Sequence, residues 1–119
     1  MVKIDIHTHT RKCKSGDAPT REVTPERFCE AILATDVGIV AITNHNVFDL
    51  AQYRKIVARI GEKAQVWPGI EFDVIEDNLR AHLIVIVSPK RADAFSTAVD
   101  QFTLGSTADS FTTSIDASP

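Results

Sequence analysis

The chain has 119 residues, 44% of them apolar and 24% charged, with a net charge of −3. This is the size and balance of one folded domain rather than a disordered segment, and the charge excludes a broad electrostatic pull toward nucleic acid or an anionic membrane. The longest apolar run, LIVIV at 83–87, is far too short to span a bilayer, and residues 1–6 hold no secretory core, so a cytoplasmic protein with no membrane partner is expected.

In chain order, VKIDI at 2–6 alternates apolar and polar residues and predicts a strand. Its even positions, Val2, Ile4 and Ile6, are expected to pack under helices, leaving Lys3 and Asp5 on a polar face. Residues 10–23 are polar and basic, with Gly16 and Pro19, and predict a long loop of the kind that is usually functional. TPE at 24–26 predicts a helix start, Thr24 as cap and Pro25 in the first turn, with Phe28, Ile32 and Leu33 on the apolar face. GIVAIT at 38–43 has the pattern of a strand covered on both faces. A second helix is predicted over 48–60, with Tyr53, Ile56, Val57 and Ile60 inward and Gly61 as its stop. QVWPGIEF at 65–72 predicts a third strand broken at Pro68-Gly69, AHLIVIV at 81–87 a fourth, and 91–104 a third helix on Ala94, Phe95, Ala98, Val99 and Phe102. The Ser/Thr/Asp-rich tail, 105–119, is expected to be irregular. Cys13 and Cys29 form no CxxC and are expected to be reduced thiols. The order β-α-β-α-β-β-α argues for an α/β architecture with mainly parallel strands.

In such folds functional residues collect at the C-terminal ends of parallel strands. His7 and His9 follow the first strand, His45 the second, and Glu71 ends the third. Two histidines one residue apart share a strand face and can grip one ion, with Asp5 as a partner for an imidazole N–H. His82 instead begins its strand. A link of about five residues cannot form a parallel crossover, so a hairpin at Glu76-Asp77-Asn78 is predicted, which sets His82 nearly opposite Glu71. Taken singly, these residues are ordinary: strand-end histidines, an ion-pairing Glu71, a turn Asp17 beside Gly16, and a solvated basic loop of Arg11, Lys12, Lys14 and Arg21. Their common rim is what points to a metal.

With DIHTHT, the loop Asp ahead of TPE, TNHN, PGIEF and AHL in that order, residues 1 to about 90 resemble the polymerase and histidinol phosphatase (PHP) family. The resemblance implies part of a distorted seven-stranded β/α barrel, mostly parallel with a hairpin between strands three and four. It implies two or three divalent ions (manganese, zinc or iron). His7 and His9 would bind one ion and Asp17 and His45 its neighbour, with Glu71 bridging and His82 holding a further ion. Two departures stand out: Asn44 occupies a position where the family commonly has Asp, and no histidine follows His82, although the family draws later ligands from the rest of its barrel. Residues 1–104 are accordingly expected to be the N-terminal part of such a domain, cut short. The basic first loop and NHNVFD resemble members linked to ATPase modules.

The expected chemistry is hydrolysis of a phosphate ester, in a small molecule or in nucleic acid, by metal-activated water, with Glu71 at the centre and Arg11 and Arg21 clamping phosphate. The alternative is a metal-binding or regulatory module without turnover, completed by self-association or by the remainder of a larger polypeptide. Amidohydrolases also open with HxH, but they need a lysine near the fourth strand, and none occurs between Lys63 and Lys90.

Overall fold

The computed structural model describes residues 1–13, 16–103 and 111–112. β1 (Lys3–Thr8) is followed, after the long loop, by α1 (Pro25–Leu33), β2 (Val37–Ile42), α2 (Leu50–Ile60), β3 (Gln65–Glu76), β4 (Leu79–Ile86), α3 (Ala92–Thr103) and β5 (Phe111–Thr112). The sheet order is β1-β2-β3-β4, with β5 paired to β3 at Val74 and Ile75. β1, β2 and β3 run parallel, and β4 returns antiparallel. The architecture is therefore α/β with a mixed sheet. No helix among the described residues is long and apolar enough to cross a membrane.

Local chemistry sets the helix ends. Thr24 caps α1 by accepting from Arg27 N at 3.2 Å, with Pro25 in the first turn. α2 begins two residues later than the sequence predicts, because Asp49 is its cap, accepting from Gln52 N at 3.0 Å. Phe48 is left before the cap and packs on Tyr53 and Phe95. Gly61 ends α2 with φ 61°, where a side chain is strained.

The helices cover one face of β2 and β3. Val40, Ile42, Val66 and Ile70 meet Phe28, Cys29, Tyr53, Ile56, Ile60, Phe95 and Val99 in the core. Leu33, Val57 and Phe102, expected inward, are substantially exposed, although the Phe102 ring stays 5.2 Å from that of Phe72. Both cysteines are free thiols.

Four expectations need correction. Ile4 and Ile6 do not pack under helices: they are 58% and 53% exposed and line a shallow hollow of about 230 Å³ with Ile39, Ala41, Trp67 and Ile86. β1 is an edge strand beyond the reach of the helix layer, and period-two alternation cannot say which face is covered. β2 is covered on both faces only over its second half: Val40, Ala41 and Ile42 are buried, whereas Val37, Gly38 and Ile39 stay partly exposed. Pro68-Gly69 does not break β3; the strand there changes partner, pairing with β2 through Pro68 and with β4 from Gly69. Proline is tolerated at such a handover because it lacks only the N–H. Lastly, Phe111 and Thr112 pair with β3 rather than being irregular. Lys14 and the rest of the tail lie outside the described residues.

Candidate metal centre

The strand ends are stitched together by backbone bonds. Thr43 N donates to Thr8 O at 2.8 Å, and Thr8 Oγ1 donates to Ala41 O at 2.6 Å, tying β1 to the end of β2. The following turn lies along β3: Glu71 N donates to Asn44 O and Asn46 N to Glu71 O, both at 2.9 Å. His45 is thereby registered against Glu71. Asn46, at φ 60°, also accepts from Asp73 N at 2.9 Å through its side chain. The predicted hairpin forms around Asp77 and Asn78, and its register places His82 opposite Asp73, one step along the face from Glu71.

Four imidazoles and a carboxylate converge there. Glu71 Oε1 lies 2.7 Å from His7 Nε2, 3.1 Å from His9 Nε2 and 3.0 Å from His45 Nε2. His7 and His9 Nε2 are 3.2 Å apart, and Glu71 Oε2 bonds His82 Nδ1. One oxygen cannot satisfy three ring nitrogens of which only some carry hydrogen. Atoms sharing an ion at about 2.1 Å lie about 3 Å apart at right angles, so a shared cation fits this spacing. His9 Nδ1 is buried without a hydrogen-bond partner. Two groups, His7–His9–Glu71 and His45–Asp73–His82, each bring one ligand atom per residue to within 4.8 Å of the others and could hold a metal.

The electrostatics follow from this crowding. The Glu71 carboxyl feels burial pushing it up, but hydrogen bonds from His82 and His7 and the charge of His45 outweigh that and hold it down to about 2. Burial first, then the Arg21 guanidinium and His45, lower His9 to about 4, so its ring is neutral and able to ligate at physiological pH.

The remaining predicted residues take different places. Asp17 is buried behind His45, its Oδ1 2.6 Å from Nδ1, and belongs to neither three-residue group. Arg21 reaches the cluster, with Nη1 3.2 Å from His9 Nε2, 3.3 Å from His45 Nδ1 and 3.4 Å from Asp17 Oδ1. Arg11 points away and pairs with Asp49 at 2.9 Å. Asp5 accepts from the His7 backbone N at 3.2 Å rather than from an imidazole. Asn44 serves the loop, not His45: its Oδ1 accepts from Thr10 N at 2.8 Å and Arg11 N at 3.1 Å, and its Nδ2 donates to Thr10 Oγ1 at 2.9 Å. Asp73 was missed. Its two-residue spacing from Glu71, which in a strand means a shared face, was the signal that could have found it.

Neither a protein-family model nor a curated protein matches this sequence.

Proposed function

We propose that the protein is a metal-dependent phosphoesterase of the PHP kind, its sheet forming part of that family's barrel, acting on a phosphomonoester or a nucleic-acid phosphodiester. The observation that supports this most is the single Glu71 oxygen packed within 2.7–3.1 Å of three imidazole nitrogens, two from the end of β1 and one from the end of β2. His7, His9 and Glu71 would hold one divalent ion, of manganese, zinc or iron. Bound ions would supply Lewis acidity, lowering the pKa of water and neutralising phosphoryl charge.

The chain's own residues supply the rest. Glu71 stays ionised across the useful pH range and so offers a permanent negative ligand. Its second oxygen orients His82. Arg21 is 39% exposed at its side chain and carries a permanent charge at the rim, suited to bidentate capture of a phosphate.

One observation favours a second reading, a metal-binding module without turnover. Arg21 Nη1 stands among His9, Asp17 and His45, the place where the resemblance puts a further ion. A tethered cation there would occupy that position permanently. Such a module could belong to a larger, ATPase-linked polypeptide or to a self-association.

The test is metal content of the purified chain together with turnover of p-nitrophenyl phosphate, its bis ester and single-stranded DNA. Bound transition metal with chelator-sensitive hydrolysis supports the esterase. Metal retained with no hydrolysis supports the module. A folded chain that binds no metal defeats both.

A further inference from the structure

We propose that β1 is an interface with a second copy of this chain, the two β1 strands pairing antiparallel about a two-fold axis at Ile4. The pairing stands apart from the metal reading: it uses residues 2–6 and leaves His7 and His9 outside.

β1 ends the sheet, with β2 on one side and no strand on the other among the described residues. The backbone N–H and C=O groups along such an edge are a template for another strand. Nothing in the segment blunts it. Residues 1–8 contain no proline, and Val2, Ile4 and Ile6 are each more than half exposed. Ile4 and Ile6 open onto the apolar hollow they share with Ile39 and Trp67. Where β1 and β2 fall out of step, the extra residue is Gly38 of β2 before Ile4, and it lies on β1 only after Asp5, so Lys3, Ile4 and Asp5 run without an insertion.

The charges choose the partner and the register. Lys3 and Asp5 flank Ile4, and both are exposed. Directly opposed residues of an antiparallel pair share a face and stand about 5 Å apart. With Ile4 opposite its own copy, Lys3 of each chain meets Asp5 of the other, and Val2 of each meets Ile6. Moving the axis one residue either way sets Lys3 against Lys3 or Asp5 against Asp5, which repels. Lys3 Nζ already lies 2.6 Å from Asp36 Oδ2, but the two side chains are 64% and 70% exposed, and so open a pair holds its members weakly. The sheet's other outer strand, β4, has Arg80 and His82 but no acid, so two copies of it find no such match. A two-fold pairing closes on itself and stops at the dimer. One short strand buries less than a standard interface, so the dimer is weak and concentration-dependent.

Sedimentation equilibrium of the full chain, with chelator present so that no shared ion bridges copies, tests this up to about 1 mM, where weak interfaces associate. Circular dichroism is the folding control. The wild-type chain should pass from monomer to dimer. Lys3→Glu and Asp5→Lys each oppose like charges and should weaken the dimer at least about tenfold. Their equimolar mixture should regain wild-type strength, because each variant then carries the charge the other lacks. Ile4→Lys, on the axis itself, should abolish pairing. Should Asp5→Lys, which loses the bond to His7 N, not fold, Lys3→Glu and Ile4→Lys decide. A wild-type chain that stays monomeric overturns the interface. So does a dimer that withstands Lys3→Glu and Ile4→Lys, and so does a mixture of folded variants no stronger than its components.

Discussion

Asp17 Oδ1 lies 2.6 Å from His45 Nδ1, and both side chains are buried. A loop carboxylate thereby fixes the orientation of an imidazole delivered by the end of β2. The Asp17 carboxylate is itself held by the Cys13 N–H, which donates to its Oδ2 at 2.9 Å. Carboxylates in this position set the tautomer and raise the basicity of a ligating histidine, and their loss typically costs about 10- to 100-fold in metal affinity. Asp17→Ala should show a drop of that size by calorimetric titration with Zn(II), and Asp17→Asn, which keeps an acceptor oxygen, a smaller one. Unchanged affinity in Asp17→Ala would mean that His45 does not depend on this contact.

Asn44 yields a prediction that runs against the family pattern. Its amide donates to Thr10 Oγ1, whose own hydrogen goes to Gln52 Oε1 at 2.6 Å. An aspartate would set an acceptor against that hydroxyl and bury a charge. Asn44→Asp should therefore lower stability by about 1–3 kcal/mol in urea unfolding, although Asp is the residue the resemblance favours. Asn44→Ala, which orphans the Thr10 and Arg11 amides, should cost at least as much. A stabilised Asn44→Asp chain would mean that the position serves the ion rather than the loop.

Gly69 permits a close approach where β3 changes partners. A Cβ there would stand 3.0 Å from Thr43 Cγ2 and Val85 O and 3.1 Å from Ile42 O. Two of these neighbours are backbone and cannot swing aside. Gly69→Ala should cost about 1–3 kcal/mol as an overpacking change. Because Thr43 and Glu71 flank the contact, it should also weaken metal binding, which the same titration reads.

The metal-stripped chain should lose stability as pH falls. Unfolded His9 takes up a proton near 6.5, but the folded ring, buried beside Arg21, does so only near 4. Between these values the unfolded chain holds more protons, so stability is complete above 6.5 and declines below it. Glu71 extends the decline: its folded value of about 2 lies below the ordinary 4.5, so the stability it contributes is lost as pH drops from 4.5 toward 2. Urea midpoints measured from pH 7.5 to 3.5 should be level down to about 6.5 and fall below it, and His9→Gln should flatten the portion between 6.5 and 4. A level wild-type profile across that window would be inconsistent with the burial of His9.

Local and ordered signals in the sequence determined much of this protein. Thr24-Pro25 and Gly61 marked helix ends because capping chemistry is local. The short link after β3 forced a hairpin because a parallel crossover needs more chain. His7, His9 and His45 could be placed on one rim because the ends of parallel strands gather there, whereas Glu71 lies inside β3, which runs on to Glu76. Only the tertiary structure decided the rest. Whether the helices reach β1 depends on where the helix layer ends, and the pattern of Ile4 and Ile6 is the same either way. That Arg11 leaves for Asp49 while Arg21 enters the cluster depends on the path of a loop whose basic residues look alike in sequence. Asn44 holds a loop, Asp17 stands behind His45, and Asp73 joins His82. Each of these follows from cross-strand register and buried hydrogen bonds, which arise only once distant segments are packed together.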